Sequence, residues 1–316
     1  MEQHPGNEEQ FVVPSETTDI STLDLLDHRG IDWGRVRRTA FLVHQHLRYE
    51  YPEPISDLNH RLVIIPPEFH GDQRRVIHRL EVSAPDVEQR ASTDQFGNLV
   101  VDLYAPSIAT AIDFEAWIVV ERQAADHGQR LPTTTLSDRR FLLPTRLTYP
   151  DAALHEAAAY LRDSGDEGIE LAMRINMWVF RTMTYSHDVT DVHTTASDAL
   201  AHRRGVCQDF AHIMLCLCRL CELPARYVSG HLLGEGGTHA WVEVLLPSPD
   251  RPRMALAYPF DPTHGRQVGM SYLTVATGRD YQDVAPTSGS FRAAAPGHLS
   301  ARKHVGLTEL EYAAVG

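Results

Sequence analysis

The stretch 205-GVCQDFAHIMLCLCRLCELP-224 decides the fold. Apolar side chains (Phe210, Ala211, Ile213, Met214, Leu215, Cys216, Leu217, Cys218 and Leu220) fall on nearly every face of a helix that Pro224 ends. A helix apolar all round has to lie buried in the middle of its domain. Cys207 falls in the first turn of that helix, where unpaired N–H groups and the positive end of the dipole favour a thiolate. Gly205 lets the chain turn tightly just before it, and the same N–H groups could hold an oxyanion. Cys216, Cys218 and Cys221 read as small, soft core residues. A helix turns about 100° per residue, so these three scatter round the axis and cannot converge on a metal.

Three strand-like runs follow, over residues 225–232, 239–246 and 253–258. His239 enters the second directly after Gly234-Glu235-Gly236-Gly237, with His239 and Trp241 on one face and Ala240, Val242 and Val244 on the other. The third leads into Phe260-Asp261-Pro262-Thr263, where the acid could accept a hydrogen bond from the imidazole and fix its tautomer. Cys207, His239 and Asp261 thus make a workable nucleophile, base and orienting acid. Before the buried helix, helical spacing runs through Leu154, Ala157, Ala158 and Leu161, then from Ile169 to Phe180. Ser197 is expected to cap a short helix through Arg203.

The amino-terminal half reads differently. Alternation over residues 41–49, and further short runs at 61–65, 76–82, 99–103 and 114–120, predict an antiparallel β-sandwich or barrel ending near residue 125. The fold class expected is α+β, a buried cysteine helix followed by antiparallel strands and preceded by a β-sandwich domain. The division expected is a flexible acidic tail (1–32), the β domain (33–125), a connector draped over the surface (126–150), the catalytic core (151–290) and a carboxy-terminal tail (291–316). A short helix is expected near 307–313.

Composition narrows the function. With 29 Lys+Arg against 42 Asp+Glu the chain carries −13, which speaks against a nucleic-acid partner. No run approaches the ~20 apolar residues of a membrane span, and the first thirty residues lack the basic and apolar regions of a leader, so a soluble cytoplasmic protein is expected. Four cysteines within fifteen residues point to free thiols. His44 and His46 share a strand face but have no third ligand near them, so no metal and no cofactor is expected.

These residues resemble the transglutaminase-like superfamily. Gly205-Val206-Cys207-Gln208-Asp209-Phe210-Ala211-His212 looks like its bacterial nucleophile motif, His239-Ala240-Trp241 like its histidine motif and Phe260-Asp261-Pro262-Thr263 like its acid motif. The segment Gly278-Arg279-Asp280-Tyr281, with Asp283, Val284 and Pro286, resembles one that follows the acid in the same bacterial group. Tyr49, Tyr51, Pro54 and Ile55, with Asp94, Phe96, Gly97 and Asn98, resemble its amino-terminal β domain. The resemblance implies a papain-like core with Cys207 as nucleophile, His239 as base and acid, and Asp261 orienting it. Ala257-Tyr258-Pro259-Phe260 departs from the tryptophan and glycine common there, and Pro259 predicts an edge or bulge. Tyr185, Gln208 and Trp241 are candidate oxyanion donors. The expected activity is cysteine-dependent acyl transfer on a peptide or protein, as a peptidase or amidase. The alternatives are a protein-glutamine transglutaminase using an amine acceptor and a catalytically silent binding scaffold.

Overall fold

The computed structural model describes residues 23–124 and 128–313. The amino-terminal half forms β1 (Val36–Glu50), β2 (Ile55–Leu62), β3 (Phe69–His70), β4 (Gln73–Val82), β5 (Glu88–Thr93), β6 (Leu99–Ile108) and β7 (Ala111–Gln123). The core follows as β8 (Arg130–Pro132), α1 (Arg139–Leu142), α2 (Ala152–Arg162), α3 (Gly168–Thr182), β9 (Thr184–Tyr185), α4 (Ala196–His202), β10 (Arg204–Gly205) and α5 (Cys207–Leu220). It continues with β11 (Ala225–Leu232), β12 (His239–Pro247), β13 (Met254–Asp261), β14 (Arg266–Gln267), β15 (Tyr272–Gly278) and α6 (Tyr281–Val284), and β16 (Thr287–Arg292) and β17 (His298–Tyr312) close the chain.

As the sequence requires, α5 is central, and every residue from Gln208 to Arg219 is buried. Leu154, Leu161, Leu171, Ile175 and Val179 of α2 and α3 share one apolar core with Phe210, Met214 and Leu217 of α5, and Tyr227, Ala240, Val242 and Val244 of β11 and β12 belong to the same core. Each such side chain contributes at most about 1.5–3 kcal/mol, because the unfolded chain already buries some of that area. The core sheet has the order β14-β13-β12-β11-β15, with β8 pairing β13. Pro259 introduces no bulge, since β12 and β13 pair without a shift from Val242↔Phe260 to Pro247↔Ala255. On its other edge β13 meets β8 at 254–256 and β14 at 260–261, so Pro259 falls in the gap between two short partners.

Two antiparallel sheets, β17-β1-β7-β4-β3 and β16-β2-β6-β5, share a second apolar core that includes Phe41, Leu47, Leu62, Leu103, Phe114 and Ile118. Side-chain amides join this unit to the core sheet. Asn98 pairs both ways with the Thr277 backbone at 2.7 and 2.8 Å, and Gln73 does the same with Thr274 at 2.7 and 2.9 Å.

Several expectations are corrected. Residues 298–312, read as tail and short helix, form a 15-residue strand on the edge of β1. Leu307 and Leu310 imitate helical spacing, but only one side of this edge strand touches a core, so alternation is weak. Its neighbour β16 likewise completes the other sheet. Residues 1–22 of the expected amino-terminal tail lie outside the described residues, whereas Leu26 bonds Leu307 backbone to backbone at 2.7 Å. The connector is not merely draped over the surface. It supplies β8 to the core sheet, and its Phe141 packs with Leu245 and Ala257. Thr195, not Ser197, caps α4, accepting from Asp198 N–H at 3.2 Å. No helix among the described residues is long and apolar enough to cross a membrane.

Candidate active site

Cys207 is the first residue of α5, and the turn before it is built to hold it there. Asp209 in the first turn accepts Val206 N–H at 2.8 Å and the Thr190 hydroxyl at 2.7 Å. A Cβ on Gly205 would fall 2.8 Å from Asp209 Cβ and Cγ, so only glycine fits beneath that carboxylate. β10 pairs parallel with β9, which sets Gly205 beside Tyr185. With Asp209 and Phe210 N–H both returning to Val206 O, the N–H groups of Cys207 and Gln208 are the first-turn donors left to face a ligand.

Cys207 Sγ lies 3.9 Å from Thr238 O, at the entry to β12 and one residue before His239. The three companion cysteines are buried, and burial pushes the Cys216 thiol up to about 12 and those of Cys218 and Cys221 upward as well. Only Cys207 is partly open to solvent.

His239 is buried, and its Nε2 meets Asp261 Oδ2 at 2.8 Å. Asp261 is wholly buried at the end of β13. Its Oδ2 also accepts His264 Nδ1–H and the Tyr272 hydroxyl, each at 2.7 Å, while Oδ1 accepts Thr263 N–H at 2.9 Å and His264 N–H at 3.3 Å. Burial alone would raise this acid, but the hydrogen bonds from His239 and His264 hold it well below the usual carboxylate range. Burial alone would likewise lower His239, and the bonds to Asp261, Cys207 and Glu235 override it, so the ring is held as imidazolium. Both nitrogens then donate.

The three predicted oxyanion donors separate. Gln208 is the residue after Cys207, with its amide on Asp191 O at 3.4 Å. Tyr185 is half exposed, and burial, then the nearby Cys207 charge, raises its phenol. Trp241 lies beside His239, ring to ring at 6.2 Å, and packs edge-on against Tyr272. Sequence reasoning missed Glu235, His264 and Tyr272. Only the spacing of His264 three residues beyond Asp261, within a turn closed by that acid's own side chain, offered a signal.

His239, Asp261 and His264 bring donor atoms within 4.8 Å of one another, a set that could meet a divalent ion. Their separations of 2.7 and 2.8 Å are hydrogen-bond lengths, shorter than the roughly 3.3 Å edge that Zn–N bonds of about 2.0 Å imply. The cluster therefore reads as a hydrogen-bond network. His44 and His46 are engaged separately, by Glu115 and Asp113, each at 2.8 Å.

Comparison with known proteins bears on this arrangement. Residues 156–251 match the model of the transglutaminase-like superfamily, and residues 41–121 match that of the bacterial transglutaminase-like N-terminal region. An uncharacterized protein of Mycobacterium leprae is 30% identical over 263 residues, covering 77% of this chain and 89% of that protein. The chain belongs to the transglutaminase-like superfamily. An uncharacterized protein of Mycobacterium tuberculosis is 28% identical over 250 residues, covering 69% of this chain and 76% of the relative. A crystal structure from Cytophaga hutchinsonii, described as a candidate cysteine protease, superposes with a TM-score of 0.69 at 22% identity, covering 89% of this chain and 94% of that one. At that identity the likeness shows the transglutaminase-like fold alone. The superfamily model ends at residue 251, so Asp261 stands on its geometry.

Proposed function

We propose that this protein is a cysteine-dependent acyl-transfer hydrolase acting on peptide or side-chain amides. The observation that carries the reading is one imidazole, His239, bonded at 2.8 Å to a buried acid and raised by the neighbouring Cys207, which stands at a helix start. In this mechanism the Cys207 thiolate attacks the amide carbonyl and forms a C–S bond. The oxyanion meets the N–H groups at the start of α5, with Gln208 or Tyr185 beside it. His239 gives its Nδ1 proton to the departing amine as the C–N bond breaks, leaving a thioester on Cys207. Water then attacks the thioester while His239 takes a proton back, the C–S bond breaks to return the Cys207 thiolate, and the acid product leaves. Asp261 stays ionised throughout and holds the ring. Free thiols support a reducing location, which we take to be the cytoplasm.

The test follows a glutamine peptide by mass, with and without a primary amine, while intact mass watches for an acyl adduct on Cys207. Hydrolysis to the carboxylate in both arms, absent from Cys207→Ala, is expected. Amine incorporation at the expense of hydrolysis would make the protein a transglutaminase instead.

A further inference from the structure

Two charged side chains outside the Cys207–His239–Asp261 set join its network. Glu235 lies in the loop between β11 and β12, with Oε2 at 3.2 Å from His239 Nδ1 and Oε1 at 3.4 Å from His264 Nε2. His264 in turn donates from Nδ1 to Asp261 Oδ2 at 2.7 Å. Asp261, His239, Glu235 and His264 thus close a ring in which carboxylates and imidazoles alternate. His239 Nε2 is committed to Asp261, so Nδ1 is the nitrogen that serves Cys207, and Glu235 stands on it.

The loop is shaped for this. Gly234 takes a φ of +92°, a conformation that L side chains resist, and Glu235 N–H closes a turn onto Leu232 O at 3.1 Å. The carboxylate is thereby directed back to the start of β12, although the loop around it is exposed.

We propose that Glu235 is a positioning residue of this site: it shares His239 Nδ1 with Cys207 and, opposed by His264, sets the local charge against which the thiol ionises. The inference rests on the proposed cysteine chemistry.

The groups facing the reacting pair have defined signs. Asp261 from β13 is buried and anionic. Tyr185 from β9 and Tyr272 from β15 are phenols held neutral, the latter accepting Arg266 Nε–H at 3.0 Å. His264 is pushed up to about 9 by its bonds to Asp261 and Glu235, and Glu235 is held down to about 2 by His239 and His264. At neutral pH the first is a cation and the second an anion. A carboxylate near a forming thiolate disfavours it, and an imidazolium favours it. One unit charge close by in a partly wet site shifts such an ionisation by about one pH unit.

The experiment measures the rate of Cys207 alkylation by iodoacetamide against pH, with the adduct located by peptide mass, in the full chain. Glu235→Gln should lower the half-maximal pH by about one unit, Glu235→Asp should restore it, and His264→Asn should raise it by a similar amount. The Glu235→Gln/His264→Asn double variant should return near the wild-type midpoint. A loop that was only structural would change the rate at every pH without moving the midpoint. A midpoint unmoved in Glu235→Gln, or moved in the same direction by both single changes, overturns the inference while leaving the cysteine chemistry intact. If wild-type Cys207 shows no selective reactivity at all, both fall together.

Discussion

Asp261→Asn is the substitution whose consequence the geometry specifies most fully. Asp261 accepts three donors on Oδ2 (His239, His264 and Tyr272) and two backbone N–H groups on Oδ1. An asparagine keeps the shape but turns one oxygen into an NH2 group. If its oxygen takes the Oδ2 place, the amide faces the N–H groups of Thr263 and His264. If it takes the Oδ1 place, the amide faces both imidazoles and the Tyr272 hydroxyl. Either way at least two partly buried donors lose their acceptor, and at about 1–3 kcal/mol for each the cost is about 2–6 kcal/mol. For a chain of this size that is a fall in Tm of roughly 5–15 °C. His239 also loses the charge that holds it as imidazolium, so the thiolate loses its counter-ion. Turnover should fall by up to about 10⁴, the loss seen when the orienting acid of a catalytic triad becomes an amide. The assay pairs a calorimetric Tm with Cys207 alkylation followed by peptide mass at neutral pH. Alkylation within about threefold of wild type, in a variant whose Tm has fallen as expected, would refute the claim that Asp261 acts on Cys207 through His239.

Other consequences follow from the same geometry. Gly205→Ala sets a Cβ against Asp209 and breaks its bond to Val206 N–H, which should cost about 1–2 kcal/mol in chemical denaturation and slow Cys207 alkylation together. The folded-state pKa of Asp261 is depressed below 3.8, so its contribution to stability is present above that value and lost as pH falls through the folded value. His239 is raised above 6.5, so its contribution is complete below that value and fades as pH rises through the folded one. Stability followed by urea titration should therefore peak between them, and Asp261→Asn should flatten the acid side. Leu307→Asp places a charge on the buried side of β17, where Leu307 has no exposed surface, and should destabilise the chain by about 3 kcal/mol or more in the same titration. Loss of less than about 1 kcal/mol would mean that β17 is dispensable to the sandwich core.

What the sequence disclosed depended on how periodic each element is. The run from Phe210 to Leu220 can be satisfied only as a buried helix, so α5, and with it the place of Cys207, was readable. β12 was equally plain, because Ala240, Val242 and Val244 had to face that helix. Alternation failed where a strand lies on a sheet edge. All of β5 is exposed, and β17 buries little beyond Leu307 and the glycine before it, so neither carries a pattern. The turn Asp94–Asn98 was read as a local signal, yet Asn98 serves as a clamp onto Thr277 of β15, a contact 179 positions away. Glu235, and all of His264 but its spacing from Asp261, escaped for a related reason. They lie in a glycine-rich loop and a tight turn, and which way a loop side chain points is decided by tertiary contacts and not by any repeat.

The account stands most directly on the reactivity of one thiol. The protein is treated with a thiol-directed electrophile near neutral pH, and the adducts are mapped by intact and peptide mass. The account predicts rapid labelling confined to Cys207, abolished by Cys207→Ala and slowed by His239→Ala, with Cys216, Cys218 and Cys221 silent in the core. Labelling of Cys216 or Cys221 as fast as Cys207, or a Cys207 rate indifferent to His239→Ala, would contradict it.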